Sequence, residues 1–334
     1  MNENLSRITD TFIENYNTAK KLFRLDGNYA AISYAAFLLS KDKAVTEERL
    51  SEAKKLLGTY AKGFINIKNT LAKEVAAAAV ADSTDPDHAA QKINEIYSSL
   101  RKIATGSDFF GVPAAIIYKN ARPLEYDDVI ERVKAVYNGI KKHHPLITSY
   151  EDVLACTLMA LSGKPVEEVV QDSEECFDII KKEYLSGNNA QTVACLLSVF
   201  DGTSAEKCEK AISASKTLKK AKISFDDRSL ASLAAITMIV KEEDLQSYIS
   251  DIGEISEKLK SVRGLGNLGV GKKFRNMLSA AIVAVAYSEK NNINMQGATV
   301  SSIINVMFAQ HLIMVVCMAY AMSSIASGIR PSSR

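Results

Sequence analysis

Short runs of small and apolar residues recur about every forty residues along this chain. When one alanine of each run is aligned, the spacings are 41, 38, 41, 39, 40 and 46 residues. The aligned positions are Ala35, Ala76, Ala114, Ala155, Ala194, Ala234 and Ala280. Self-similarity at a fixed period of this length is typical of proteins built from repeated supersecondary units. The sequence therefore predicts about seven repeats.

Each run is followed by a polar turn and by a second segment with apolar residues at steps of three and four. The sixth unit shows this most clearly, with Leu245, Tyr248, Ile252, Ile255, Leu259 and Val262. That spacing places these side chains on one face of a helix, and no alternating run is long enough for a strand. We expect an all-α fold of helical hairpins stacked as an α-solenoid or α/α array, as an open superhelix or a closed ring.

This pattern divides the chain into three parts within a single continuous array. Residues 1–28 are predicted to form an N-terminal capping helix, and residues 29–290 the helical-hairpin repeats. Residues 291–334 are predicted to form an apolar C-terminal helix that packs on the last repeat.

Charge and cysteine content limit the class of protein. The net charge of +2 gives no overall attraction to nucleic acid, so none is expected as a partner. The five cysteines are odd in number, form no C-x-x-C pair and lie in apolar helical patterns. They predict buried free thiols in a reducing compartment. The N-terminus resembles no signal peptide, which favours the cytoplasm.

The stretch "RGLGNLGVGKKFRNM" from Arg263 resembles two phosphate-binding motifs. Both motifs require a strand before the loop, whereas a helical pattern precedes this one. Lys273 also stands where the second motif needs a hydroxyl. We expect a loop or hinge role for Gly264, Gly266, Gly269 and Gly271. The weaker alternative is an anion or partner contact through Lys272, Lys273 and Arg275.

No other motif indicates chemistry. The adjacent His143 and His144 have no Cys or His partner at metal-ligand spacing, so a helix-end or packing role is expected. The sequence holds no nucleophile elbow, carboxylate pair or Cys/His signature of a catalytic site. We therefore expect no catalytic residue, metal or cofactor, and an enzyme with a site between repeats is only the third hypothesis.

The C-terminal stretch leaves two hypotheses open. Residues 291–329 carry no formal charge, and 17 of the 20 residues from Ile303 to Met322 are apolar, which is long enough to span a membrane. Asn305, Gln310 and His311 in its middle would be costly in hydrocarbon. A helix buried against the stack is favoured, and membrane insertion is the alternative.

Four stretches of the chain are similar to a bacterial family known as domain of unknown function 4003. They are "HPLITSYEDVLACTLMALSG" from His144, "GNNAQTVACLLSVF" from Gly187, "GLGNLGVGKKFRNML" from Gly264 and the final helix after "VSSIINVMFAQ". The family pattern matches Gly264, Gly266, Asn267, Gly271, Lys272, Arg275 and Met277, and leaves Gly269 outside. The resemblance spans nearly the whole chain and implies no activity.

These observations favour a cytoplasmic helical-repeat protein that acts as a protein-interaction or scaffold module. Stacked helical hairpins create extended concave surfaces that commonly bind another macromolecule. The alternative is a membrane-associated protein that uses Ile303 to Met322. Neither the partner nor the oligomeric state follows from the sequence.

Overall fold

The computed structural model describes residues 3–61, 67, 73–104, 109–183, 186–225, 237–291, 303, 304 and 306. These residues form thirteen α-helices and no β-strand, which confirms the predicted all-α class. The first seven helices are α1 (Glu3–Leu22), α2 (Gly27–Phe37), α3 (Glu47–Tyr60), α4 (Lys73–Asp82), α5 (Pro86–Leu100), α6 (Gly111–Asn120) and α7 (Tyr126–His143). The others are α8 (Asp152–Leu161), α9 (Val166–Ile180), α10 (Gly187–Leu197), α11 (Ser204–Lys220), α12 (Leu245–Lys260) and α13 (Gly271–Lys290).

Two kinds of helix alternate from α1 to α11, and α12 and α13 add one helix of each kind. The inner helices α2, α4, α6, α8, α10 and α13 contain the small-residue runs and are buried nearly all round. Unbroken buried stretches cover residues 30–37, 74–81, 111–117, 152–161 and 274–288. A helix without a polar face is stable only where other elements cover every side, and the alanines of these runs allow close approach.

The outer helices α1, α3, α5, α7, α9, α11 and α12 bury only one stripe each. In α12 the predicted stripe is confirmed, because Tyr248, Ile252, Ile255 and Leu259 are all completely buried. Polar caps fix where these helices begin. Thr203 and Glu206 form the reciprocal capping box of α11, and Asp85 accepts a hydrogen bond from the backbone of His88 at the start of α5.

Helix contacts follow the chain order. Each outer helix from α1 to α9 packs on the inner helix that follows it, and α12 packs on α13 in the same way. Successive inner helices from α2 to α10 are neighbours, as are successive outer helices from α1 to α11. The short helical turn Thr237–Ile239 contacts both α11 and α13.

Basic side chains in outer helices, or in the turns before them, bind the C-terminal ends of inner helices. Carbonyl groups that lack partners at a helix end are satisfied in this way. Arg49 donates to the carbonyls of Ala81 and Ser83 (2.9 and 2.6 Å), Arg132 to Ala160 and Lys164 (3.1 and 2.7 Å), and Lys164 to Ser198 and Phe200 (3.0 and 2.6 Å). Outer helices therefore begin where inner helices end.

The first and last described helices also meet. Helix α1 packs against α13 as well as against α2 and α3. Asn4 and Arg7 both donate to Glu289 (3.0 and 3.3 Å), and Lys258 pairs with Asp10 at 2.6 Å. Tyr29 and Phe274 pack edge to face, with ring centroids 4.9 Å apart. We call these contacts of α1 and α2 with residues 258–289 the seam. The capping role of residues 1–28 stays a prediction.

Only a few residues of the C-terminal part are described. Ile303, Ile304 and Val306 are completely buried and belong to the main hydrophobic core. Asn305, Gln310, His311 and most of residues 291–334 lie outside the described residues. Among the helices that are described, none is both long and apolar enough to cross a bilayer.

The described cysteines agree with the sequence analysis. Cys156, Cys176, Cys195 and Cys208 are all buried free thiols. Burial raises the pKa of Cys156 far above its ordinary value and that of Cys195 to about 12, so both remain protonated and unreactive.

Candidate functional site

The glycine loop, residues 261–270, joins α12 to α13 and packs against α1. Gly264 has a φ of +97°, a conformation in which side chains are strained. A Cβ atom there would lie 2.4 Å from the hydroxyl of Tyr16 and 2.5 Å from Nζ of Lys20. A Cβ atom on Gly269 would lie 2.0 Å from the carbonyl oxygen of Gly264. These two glycines are therefore needed for close approach.

The carbonyl group of Arg263 fixes this loop to the seam. It accepts hydrogen bonds from the hydroxyl of Tyr16 at 3.1 Å and from Nζ of Lys20 at 2.7 Å. Tyr16 also donates to the side chain of Asn28 at 3.2 Å. The loop thus connects the end of α12 to the first two helices.

Arg275, one of the three predicted contact residues, lies inside the protein. Its side chain is only 1% exposed, and it donates to the carbonyl of Leu265 (3.3 Å), the amide oxygen of Asn267 (3.0 Å) and the hydroxyl of Ser256 (3.3 Å). The guanidinium group is thus committed to holding the loop. Its burial also removes it from any surface contact with an anion or partner.

Lys272 and Lys273 differ from Arg275 because both are exposed in the first turn of α13. Gly271, which precedes them, has a φ of +82° and allows the sharp entry into the helix. Gly266, within the glycine loop, is also closely packed, because a Cβ atom there would lie 3.1 Å from the carbonyl oxygen of Lys260. Only the two lysines keep the predicted partner-contact role.

This geometry predicts no specific nucleotide binding. The loop backbone packs on itself at Gly264 and Gly269, Arg275 is buried, and Lys273 supplies no hydroxyl for Mg²⁺. Calorimetry with ATP or GTP and Mg²⁺ is expected to show no micromolar binding. Micromolar, Mg²⁺-dependent binding that disappears in Lys272→Ala would contradict this assignment.

The histidine pair closes α7 as predicted for a helix end. The backbone N–H of His144 donates to Ile140 at 2.9 Å, and its Nε2 lies 2.8 Å from a carboxylate oxygen of Glu174. Within the described part of the chain, no three His, Cys, Asp or Glu side chains come together as a metal site would require.

Several buried polar groups were not recognised in the sequence. Glu74 and Asp152 are buried near the starts of α4 and α8, and Lys119 and Tyr34 have polar atoms without a hydrogen-bond partner. All four lie within the small-residue runs used to identify the repeats, and three of them are charged residues. The sequence did contain a signal for this burial. A charged residue inside such a run is expected to be buried, because the runs form the helices that are covered on nearly every side.

Glu74 is the most perturbed of these carboxyl groups. It is 1% exposed, its Oε2 atom has no hydrogen-bond partner, and burial raises its pKa to about 7. Asp152 has a pKa raised to about 6 by burial, although it accepts hydrogen bonds from the Ser149 N–H (2.7 Å) and from Gln191 (2.9 Å).

Glu74 gives a pH dependence with a definite sign. The folded protein holds this proton more tightly than the unfolded chain, whose pKa is near the ordinary 4.5. The free energy of unfolding should therefore fall as pH rises from about 4.5 to 7, by up to about 3 kcal/mol from this group. In urea unfolding at pH 8, Glu74→Gln is expected to be more stable than the native sequence. Equal stability of the two proteins at pH 5 and pH 8 would contradict this origin.

The described helices, the seam and the glycine loop define a class: an all-helical protein in which the glycine-rich stretch packs against the first helix. A family model described as "Protein of unknown function (DUF4003)" matches residues 15–316, so the chain belongs to that family. The resemblance noted in the sequence is thereby confirmed. Comparison with curated proteins and with solved structures gave no match.

Proposed function

We propose that this protein is a protein-interaction module built from helical hairpins that close into a ring. The neighbour relations of the inner and outer helices support the repeat arrangement. The seam supports closure, because α1 and α2 contact α13 through hydrogen bonds, an ion pair and an aromatic pair. Because α1 and α13 cover each other within one chain, a second copy of the array is not needed to cover them.

The burial of the inner helices affects where a partner can bind. A partner in a concave groove would contact an exposed side of the inner helices. Residues 30–37, 74–81 and 152–161 of these helices are buried without interruption, so they present no such side. The partner surface is therefore placed on the ends of the array, where turns and helix termini are accessible.

Several outer helices carry charges of opposite sign at their two ends. The first turns of α1, α3, α5, α7, α9 and α11 all contain Asp or Glu. The last turns of α1, α7, α11 and α12 contain Lys. Each sign suits the local helix dipole. Outer helices begin beside the C-terminal ends of inner helices, so the two kinds of helix run in opposite directions. We call the end of the array where the outer helices finish the basic end. Lys272 and Lys273 belong to it.

Three exposed leucines at the basic end carry this proposal. Leu25, Leu146 and Leu268 are 94%, 97% and 106% exposed, and each lies in a turn that leads from an outer to an inner helix. Turns favour Gly, Pro, Asn, Asp and Ser for conformational reasons that leucine does not meet. Apolar anchors within a basic surface fit a partner protein with an acidic surface and apolar pockets.

The test is affinity capture from the native host followed by mass spectrometry. The native chain is expected to retain a specific protein that a Leu25→Ser, Leu146→Ser, Leu268→Ser variant loses. Leu124→Ser is the matched control, because Leu124 is 98% exposed in a turn at the opposite end. A Lys272→Glu, Lys273→Glu variant should weaken the same interaction by charge reversal.

The outcome is read against the control. A partner that the triple variant and the Leu124→Ser variant retain equally would remove the basic end as the binding surface. Thermal unfolding of each variant should match the native protein, since these side chains make no buried contact. The membrane-associated alternative concerns Ile303 to Met322, most of which lies outside the described residues, and it stays a prediction.

A further inference from the structure

Two cysteines meet between the neighbouring outer helices α9 and α11. Cys176 lies on α9, Cys208 lies on α11, and both side chains are completely buried. The Sγ atom of Cys208 is 3.7 Å from the carbonyl oxygen of Cys176, and a hydrogen bond joins the two thiols. The folded chain therefore holds one pair of thiols in contact, and a disulfide between them requires only small side-chain rotations.

A buried ion pair borders these thiols. The ammonium group of Lys207, which is almost completely buried, pairs with the carboxylate of Asp172. The same carboxylate has an oxygen 3.7 Å from Sγ of Cys176, from which it accepts a hydrogen bond. Lys207 also directly precedes Cys208 in the sequence. One thiol is therefore next to a carboxylate that can accept its proton, and the other is close to a positive charge.

These contacts make the two sulfur atoms unequal. The hydrogen bond from Cys176 lowers the pKa of the Cys208 thiol, and the charge of Lys207 adds to this effect while burial opposes it. The same hydrogen bond, together with burial, raises the pKa of Cys176. Cys156 and Cys195 differ, because burial raises the pKa of both. Since the thiolate is the nucleophilic form of cysteine, Cys208 is the thiol that should react first with an oxidant.

The position of the pair in the core affects its accessibility. Cys176 and Cys208 belong to a small hydrophobic cluster formed by α9, α10 and α11, which is separate from the main core. Cys156 and Cys195 belong to the main core. A region with few buried apolar contacts opens locally at a lower free energy than the main core does. A small neutral oxidant can therefore reach the pair without global unfolding.

We propose that Cys176 and Cys208 are a reversible disulfide site that a hydroperoxide oxidises. The sulfur of Cys208 attacks the hydroperoxide, the O–O bond breaks, and the thiol proton goes to the leaving oxygen, which yields a sulfenic acid and an alcohol or water. The sulfur of Cys176 then attacks the sulfenic sulfur, and its proton passes by way of Asp172 to the leaving hydroxide. A disulfide and water result, and the two electrons that the sulfur atoms lose reduce the hydroperoxide. In a reducing compartment thiols reverse such a bond, so it is transient.

Peptide mapping of the native full chain tests the proposal. The protein is treated with hydrogen peroxide, its remaining thiols are alkylated in denaturant, and cleavage after Lys, Arg and Glu places the four described cysteines on separate peptides. A cross-link between Cys176 and Cys208 is expected, with the loss of two hydrogen atoms, and dithiothreitol should reverse it. The cross-link should form at least about tenfold faster than any oxidation of Cys156 or Cys195.

Three variants separate the roles of the sulfur atoms. Cys176→Ser is expected to retain a sulfenic acid at Cys208, which dimedone traps. In Cys208→Ser, Cys176 should remain a thiol after the same treatment. Cys195→Ser is the matched control in the main core, and it should leave the cross-link between Cys176 and Cys208 unchanged.

The native chain is decisive even where a variant does not fold. The proposal is overturned if the described cysteines are all oxidised at the same rate, because oxidation would then follow global unfolding. It is also overturned if no cross-link between Cys176 and Cys208 forms in the native chain while the urea-unfolded chain is oxidised. Dimedone labelling of Cys176 in Cys208→Ser would overturn the assignment of Cys208 as the first thiol to react.

Discussion

Arg275→Ala is expected to lower the free energy of unfolding by about 4–6 kcal/mol. The guanidinium group is 1% exposed and donates to three acceptors, in Leu265, Asn267 and Ser256. Alanine would leave the buried Leu265 carbonyl and Ser256 hydroxyl without this donor and would open a cavity the size of a long side chain. Urea unfolding followed by circular dichroism measures the loss.

The neighbouring lysine provides the control for Arg275. Lys272 is exposed in the same turn of α13, so Lys272→Ala should change stability by no more than about 0.5 kcal/mol. Arg275→Lys should recover little, because one ammonium cannot reproduce the planar guanidinium geometry. Single substitutions commonly lower stability by about 1 kcal/mol. A loss below that value for Arg275→Ala would show that the loop does not depend on this side chain.

Gly269→Ala is the second large expected effect, a loss of about 4 kcal/mol or more. The new Cβ atom would lie 2.0 Å from the Gly264 carbonyl oxygen, which belongs to the backbone and cannot rotate away. Relief of that overlap would have to displace the loop from Tyr16 and Lys20, and both hydrogen bonds to Arg263 would be lost. Thermal unfolding and denaturant titration should show the same decrease.

Gly253→Ala is the matched substitution for this test. Gly253 lies in α12, and no atom lies within 4 Å of the position that its Cβ would occupy. Alanine there should raise stability by about 0.5–1 kcal/mol, because glycine is unfavourable within a helix. If Gly269→Ala were as stable as Gly253→Ala, the close packing of the loop would be contradicted.

Helices of this protein were predictable where periodicity is strong. The stripe that contains Ile252 and Leu259 specified α12 and its buried face, since apolar spacing depends only on local geometry. The capping box of Thr203 and Glu206 depends on local geometry in the same way, because both residues lie at the start of α11. The sequence also predicted a loop or hinge role for Gly264, because no strand precedes the stretch and Lys273 stands where one motif needs a hydroxyl.

The environment of individual charged residues was not predictable. Arg275 follows two exposed lysines, and nothing local distinguishes its buried guanidinium from theirs. Tertiary packing also buries Glu74 and the Nζ atom of Lys119, and their place in small-residue runs indicated burial but not what each side chain contacts. The contacts at the seam join residues that are far apart in sequence, and such pairs leave no periodic signal.

The seam also affects how the chain can fold. Arg7 and Glu289 are 282 positions apart, so their contact depends on almost every intervening residue being in place. Contacts of such long range slow folding, because the entropy of closing the loop is lost before the contact contributes any stability. Helices that are neighbours in sequence can assemble first into an open arc, and docking of α1 on α13 then completes the molecule. In the proposed ring, opening of the native protein should begin at this seam, where the first and last described helices meet.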